Sequence, residues 1–429
     1  MTSVADPGRP ADYLLLLGAN MALRERAIIG AVRVFPGPIA MISPSPRTRS
    51  GKFFDYLLPG VASDPDSALA AVRAFEQRTG ARPVGVVPFV DGLLTAGLAI
   101  AEHYRLPYLS RTAIETSSIN KNLMKDRLLA AGIATPRYRQ AADPAAAVAA
   151  IDELGLPCVI KPSAFGGSLG VRLVTDSDQV AEAYQYVRTI IDQAAATFTV
   201  KNRSIQIEEF CALPDEVSVE VLNHQGRQAV LAVVDKSLGP RPFFAEIGHR
   251  TPSRYTDRAD LRELAMAACA ALDLDRGLAH AEFRLAEDGS PVLLEVGCRT
   301  AGGGIPDLVE AVTGLSLYEL QVRCYLDQLE DSVFDQPAAG SGLAAIAVLK
   351  APAGRIVRIG SPSAVDPAVT SYEVLAGVGD ESAAVSANYL HREGYVECFW
   401  PDASPADVPA TAHLRIAEQL SGELFEVAG

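Results

Sequence analysis

The chain has 429 residues, of which 49% are hydrophobic and 21% charged, and its formal net charge is −14. That length exceeds one ordinary core and predicts two to four packed units, while the balance of apolar and charged residues excludes a disordered or fibrous chain. The acidic excess argues against a nucleic-acid partner, because such binding draws on clustered Lys and Arg that neutralise phosphates.

Residues 1–12 hold no apolar stretch suited to a signal peptide. The longest apolar runs, such as Tyr13 to Leu17, fall far short of the ~20 residues of a membrane helix. A cytoplasmic protein without membrane association is expected. The cysteines Cys158, Cys211, Cys269, Cys298, Cys324 and Cys398 form no CxxC pair and lie mostly in apolar sequence, so they read as reduced core thiols.

The first ~115 residues alternate short apolar runs with helical patterns, the signature of a parallel sheet flanked by helices. Strands are predicted at Tyr13 to Leu17, Pro38 to Ile42 and Val84 to Phe89, with helices at Ser67 to Arg78 and Leu93 to Tyr104. Gly18-Ala19-Asn20 is not a GxGxxG fingerprint and reads as a structural turn. A helix beginning near Ile119 carries Lys121 and Lys125 and stops at Gly132, after which Pro136 forbids continuation. Ala145 to Leu154 is a further helix and Leu156 to Pro162 a strand. The glycine-rich loop Ser163 to Gly170 and a strand at Val171 to Val174 follow. A strand, a glycine loop and a strand differ from a P-loop, which opens a helix. Residues 205–210 and 216–222 read as adjacent strands joined by Cys211 to Asp215, with 228–235 as a third. Arg258 to Leu272 is an amphipathic helix leading into strands Ala279 to Leu285 and Pro291 to Val296 across an Asp288-Gly289 turn. Ile305 to Tyr325 is predicted helical. Residues 331–341 read as a linker, before β-rich segments at Leu343 to Leu349 and Tyr395 to Trp400 and a helix from Ala406 to Leu424.

The strands ending near 285 and 296 each offer a glutamate among apolar neighbours, Glu282 and Glu295. Carboxylates in such surroundings cost free energy unless they are paired or bind a cation, and hard oxygen ligands suit Mg²⁺. Arg299 follows closely enough to reach a phosphate or a developing oxyanion with its planar fork. Taken alone, two edge glutamates with a salt-bridged arginine fit equally well. Lys161 ends a strand just before the glycine loop, where Gly166, Gly167, Ser168 and Gly170 let the backbone approach phosphates and the ammonium supplies a point charge.

The ordered set Lys121, Lys161, the glycine loop, Glu208-Glu209-Phe210, Glu216, Glu282, Glu295 and Arg299 resembles the ATP-grasp superfamily, in motif detail across residues ~119 to ~325. The resemblance implies an α/β (α+β) chain with the ATP-grasp fold. It divides the chain into an N-terminal parallel α/β domain (1–118), a small lid subdomain (119–204), a large subdomain (205–334) and a β-rich C-terminal domain (335–429). By the same resemblance Lys121, Lys161, Gly166, Gly167, Ser168 and Gly170 hold ATP. The backbone around Glu208, Glu209 and Phe210 reads adenine, a carboxylate such as Glu216 takes the ribose, and Glu282 and Glu295 bind Mg²⁺, two ions with Mn²⁺ as a substitute.

Within the superfamily the chain is similar to the bacterial L-amino acid ligases. Many ATP-grasp enzymes carry Asn two residues after the second metal glutamate, whereas this chain has Gly297, and those ligases likewise use a small residue there. Glu246-Ile247-Gly248-His249 resembles the Glu-x-x-His segment with which they line the amino acid site; a polar loop is the alternative. Gly302 and Gly303 stand where some of these ligases place a bulky aromatic, which implies a roomier acyl-donor pocket or a turn leading into a helix. A homodimer is expected as the default for soluble enzymes, and the resemblance implies a ligase acting on small-molecule carboxylate and amine substrates. It would form an acyl phosphate assisted by Lys161 and then an amide, with Arg299, His249 and Glu246 in catalytic roles. Two rival readings are a bicarbonate-activating, carboxylase-like or carbamoyl-phosphate-like enzyme and a non-catalytic ATP-binding regulator.

Overall fold

A computed structural model describes residues 11–21, 23–45, 50–117, 119–197, 201–285, 290–335, 340–383, 385–388 and 390–428. Near the start, β1 (Tyr13–Leu17), α1 (Arg26–Val34), β2 (Ile39–Ser43), β3 (Tyr56–Pro59), α2 (Pro65–Thr79), β4 (Pro83–Pro88) and α3 (Leu94–Tyr104) build a parallel sheet in the order β3-β2-β1-β4. β1 is buried at every position, as an unbroken apolar strand covered on both faces requires. Local signals fix the helix ends. The Asp64 side chain accepts from the amides of Asp66 and Ser67, Pro65 opens α2, and Gly80 closes it at φ 74°.

After α4 (Arg111–Glu115), helix α5 (Lys121–Ala130) is capped by the Asn120 side chain. Then β5 (Tyr138–Ala141), α6 (Pro144–Leu154), β6 (Cys158–Pro162), β7 (Arg172–Val174), α7 (Val180–Thr197) and β8 (Ile205–Glu209) form a small antiparallel sheet, β5-β8-β6-β7, backed by two helices. Ile151, Ile160, Val187 and Ile207 belong to its separate core. The strand expected at 205–210 is therefore not beside the one at 216–222. It pairs with β5 and β6 because Ile205 and Ile207 complete the small core. Helix α5 instead sends Met124 and Leu128 into the large core. We propose on this basis that the small unit runs over residues 138–209.

The remaining elements are β9 (Asp215–His224), β10 (Arg227–Leu238), β11 (Glu246–Thr251), α8 (Ala259–Ala271), β12 (Arg276–Leu285), β13 (Pro291–Gly297), α9 (Ile305–Thr313), α10 (Leu317–Tyr325), β14 (Leu343–Leu349), β15 (Gly354–Ile359), β16 (Val369–Val374), β17 (Glu381–Ser382), β18 (Gly394–Trp400), α11 (Ala412–Leu424) and β19 (Phe425–Ala428). Eight strands run β13-β12-β9-β10-β11-β14-β18-β16, so the C-terminal segment extends the central sheet, and only β17-β15-β19 stands apart. The helix expected over Ile305 to Tyr325 is two helices, because Gly314 takes φ 73° and ends the first. The last helix starts at Ala412 rather than Ala406, since Pro405 and Pro409 hold the preceding residues out of the helical region. The Asp288-Gly289 turn lies outside the described residues, as do positions 336–339 of the expected linker. Among the described residues no helix is long and apolar enough to cross a membrane. All six cysteines are free, five of them buried.

Candidate active site

The small sheet and the central sheet flank a cleft whose walls include Lys121, Lys161, Phe210, Glu216, Glu282 and Glu295. Antiparallel pairing of β12 with β13 sets Glu282 directly opposite Glu295. Like charges so placed repel, and each is answered by an ammonium: Lys236 Nζ lies 3.0 Å from Glu282 Oε2, and Lys121 Nζ 3.2 Å from Glu295 Oε2.

The glycine loop arches over this pair. Gly167, Ser168 and Gly170 all adopt positive φ, between 58° and 75°, a region in which glycine carries no steric cost. Lys121 Nζ donates to the Phe165 carbonyl at 2.8 Å and the Ser168 hydroxyl to the Phe244 carbonyl at 2.5 Å, tying the loop to both walls. Gly166, Gly167 and Ser168 line the cleft. Gly170 makes the turn behind it, where a β-carbon would meet Pro162 at 3.0 Å.

The hinge differs in detail from expectation. Glu208 is 4% exposed, and its Oε2 lies 2.8 Å from Lys161 Nζ and 3.0 Å from Lys125 Nζ. Burial opposes its charge, but the two lysines hold its pKa below the ordinary range. Glu208 thus positions Lys161, while burial pulls Lys125 down to about 8 despite that carboxylate. Glu209 turns outward to Arg137 at 3.1 Å, so its side chain takes no part in the cleft. Phe210 and Cys211 face inward, with the Arg241 guanidinium 4.8 Å from the Phe210 ring centre.

Lys236, absent from the sequence-based set, is the hub of the inner wall. It is 8% exposed and lies 3.1 Å from Glu216, 2.8 Å from Glu246 and 3.0 Å from Glu282. Burial disfavours its charge, yet the surrounding carboxylates raise its pKa well above the usual value. In turn, Lys236 holds Glu246 and Glu282 well below theirs against the cost of burial. His280 bridges Glu220 at 2.8 Å and Glu282 at 3.0 Å; burial disfavours its charge, but Glu220 and Glu282 raise its pKa to about 9. Arg284 Nε reaches Glu216 at 2.8 Å.

At the inner end, β11 carries Glu246 and His249 in a strand of the central sheet rather than in a loop, and His249 Nε2 is 3.6 Å from Glu246 Oε2. Burial lowers the His249 pKa, keeping the ring neutral. Gly303 lies against it. Its φ is 62°, and a β-carbon there would stand 2.5 Å from His249 Nε2, so the turn needs glycine for both reasons. Arg299 donates to Asp91 at 2.8 Å, a residue after β4, and to the Thr300 carbonyl at 3.0 Å. Burial opposes its charge and Asp91 more than restores it. A β-carbon on Gly166 would lie 3.9 Å from both Arg299 Nη2 and Asp91 Oδ2, so the loop tip reaches the arginine. His249, Arg299, Gly302 and Gly303 adjoin the cleft without lining it.

Residues 154–307 match the family model described as an ATP-grasp domain. Alanine–anticapsin ligase of Bacillus subtilis is 27% identical over 266 residues, 57% of this chain and 52% of that relative. A protein of Sinorhizobium fredii, y4rH, is 27% identical over 325 residues, 75% of this chain and 65% of the relative. The chain thus spans less than two thirds of the length of these two curated relatives. The crystal structure of an L-amino acid ligase from Bacillus licheniformis superposes with a TM-score of 0.79 at 22% identity, over 98% of this chain and 100% of that one. Residues 154–307 are thus similar to an ATP-grasp domain, and the fold of the chain is that of the L-amino acid ligase structure.

Proposed function

We propose that the protein is an ATP-dependent carboxylate-amine ligase that joins an amino acid or related carboxylate to an amino acid, releasing ADP and phosphate. The observation that carries this reading is the convergence, around one cleft, of the Glu282/Glu295 pair, the lysines of the glycine-loop wall and the Asp91-supported Arg299. A protein that only sensed ATP would not require that arginine.

Glu282 and Glu295 suit Mg²⁺. They are hard carboxylate donors on neighbouring strands, and among the described residues no group of three or more His, Cys, Asp or Glu competes with them. Mg²⁺ takes one or two carboxylates and completes its shell with phosphate oxygens and water. We propose two ions, replaceable by Mn²⁺, whose chemistry when bound is to neutralise the charge of the phosphates.

The chain's own residues do the rest. Lys121, Lys161 and the loop backbone hold the phosphates while a carboxylate oxygen bonds to the γ-phosphorus, the bridging P–O bond breaks and ADP departs. The acyl phosphate then stands beside Arg299. An amine nitrogen attacks its carbonyl carbon, and the guanidinium stabilises the tetrahedral oxyanion before the C–O bond to phosphate breaks. Neutral His249, next to Glu246, is placed to take the amine's proton. The small sheet closes the cleft against water. We further propose a cytoplasmic homodimer, the common state of soluble enzymes.

Glu246 and His249 test the amino acid specificity. Glu246→Gln should raise the KM for the amino acid roughly tenfold, the loss of one charge-assisted hydrogen bond, and leave the KM for ATP nearly unchanged. His249→Ala should lower kcat for amide formation. Phosphate release measured with ATP and the amino acid varied separately checks both, and parental amino acid kinetics in the two variants would refute the assignment.

A further inference from the structure

Arg24 lies in the turn between β1 and α1, partly exposed. Its Nη1 donates to the Thr300 carbonyl at 3.4 Å and to the Thr300 hydroxyl at 3.3 Å. Arg299 donates to the same carbonyl at 3.0 Å, so two guanidiniums crowd one oxygen. Asp91 answers Arg299 at 2.8 Å. Among the described residues no carboxylate stands at ion-pair distance from Arg24, and burial together with Arg299 lowers its pKa to about 10. A partly buried cation beside another cation, with Asp91 the one carboxylate that acts on it, favours the arrival of a further anion. The approach is kept clear by Gly302, where a β-carbon would stand 3.2 Å from Arg24 Nη2.

The chemistry of the site narrows the anion. The phosphates of ATP are met by Lys121, Lys161 and the glycine loop, and the carboxylate of the acyl donor is consumed at the γ-phosphorus. An amino acid supplying the amine brings a second carboxylate that the reaction never touches. Its nitrogen has to reach the carbonyl beside Arg299, which puts that carboxylate within reach of the neighbouring guanidinium. A planar fork holds a carboxylate through paired hydrogen bonds.

We propose that Arg24 binds the carboxylate of the amine-supplying substrate, restricting the acceptor to amino acids with a free carboxylate and excluding simple amines. This rests on the ligase reading above. The test separates the two half-reactions, assaying parent, Arg24→Gln and Arg24→Lys with ATP, Mg²⁺ and each protein amino acid as donor. Hydroxylamine first traps the activated donor as a hydroxamate, and L-alanine is then compared with L-alaninamide as acceptor. The parent should prefer alanine to its amide. Arg24→Gln should raise the KM for alanine tenfold to hundredfold, as expected for a lost charge-assisted contact, and erase the preference while still forming hydroxamate. Arg24→Lys should keep part of the preference, which a purely structural role would not explain. Full preference for alanine in Arg24→Gln, or a loss of hydroxamate as severe as the loss of alanine coupling, would overturn the proposal. Absence of hydroxamate from the parent with every donor would instead overturn the ligase reading, and the proposal with it.

Discussion

Arg299→Ala is expected to lower turnover by ~10²-fold or more, the usual loss on removing one preorganised oxyanion donor, with little change in the KM for ATP. The guanidinium adjoins the cleft at the tip of the glycine loop without lining it, and Asp91 fixes its orientation at 2.8 Å. In the proposed mechanism its contribution is made mainly in the transition state, and a group acting only there lowers kcat and kcat/KM together. Arg299→Lys should recover little, because an ammonium cannot hold Asp91 and present a second donor in the same plane. Initial rates of ADP formation with ATP varied at saturating donor and acceptor supply the check. Near-parental turnover in Arg299→Ala would remove the residue from the mechanism.

Lys236→Met should cost about 3–5 kcal/mol of stability, the range for breaking a buried ion pair from one side. The ammonium lies within 3.1 Å of each of three carboxylates, Glu216, Glu246 and Glu282. Without it they crowd one another in a poorly solvated wall, offset only by Arg284 at Glu216 and by His280 at Glu282. The sign of the pH dependence then inverts. In the parent, Glu246 and Glu282 are held below their ordinary pKa, so their contribution is present above the unfolded values and is lost as pH falls through the depressed ones. In the variant, crowding raises the folded pKa values above the unfolded ones, and stability grows as pH falls through that window. Adding Glu282→Gln to Lys236→Met should restore part of the loss, since charges in one network are not additive. Urea unfolding of parent, single and double variants between pH 5 and 8 measures this, and equal stability of Lys236→Met and parent at pH 8 would contradict the hub.

The sequence reveals much of this site because its parts are local. Glu282 and Glu295 stand out as charges inside apolar strands, and the glycine loop announces itself by composition between two strands. Pairings across the chain are less visible. Asp91 is 208 residues from Arg299, and neither residue carries a sign of the other. Ile205 to Glu209 looks like any strand, and only the small core decides that it pairs with Tyr138–Ala141 and Cys158–Pro162. Lys236 stands near the end of an apolar strand, where a lysine ordinarily reaches solvent, and the three carboxylates that bury it come from β9, β11 and β12. Glu246–Thr251 has too little apolar alternation to announce a strand, and its place between β10 and β14 makes it one. Conversely, Ile305 to Tyr325 looks continuous by periodicity, and the break depends on Gly314.

In the proposed reaction a carboxylate is activated by phosphorylation before an amine attacks it. Transfer of ¹⁸O tests this most directly. A donor amino acid labelled in its carboxylate oxygens is turned over with ATP, Mg²⁺ and an acceptor amino acid, and the released phosphate is analysed by mass spectrometry. One labelled oxygen is expected in each phosphate formed, in step with amide product. Unlabelled phosphate accompanying amide formation, or phosphate release driven by bicarbonate alone, would contradict it.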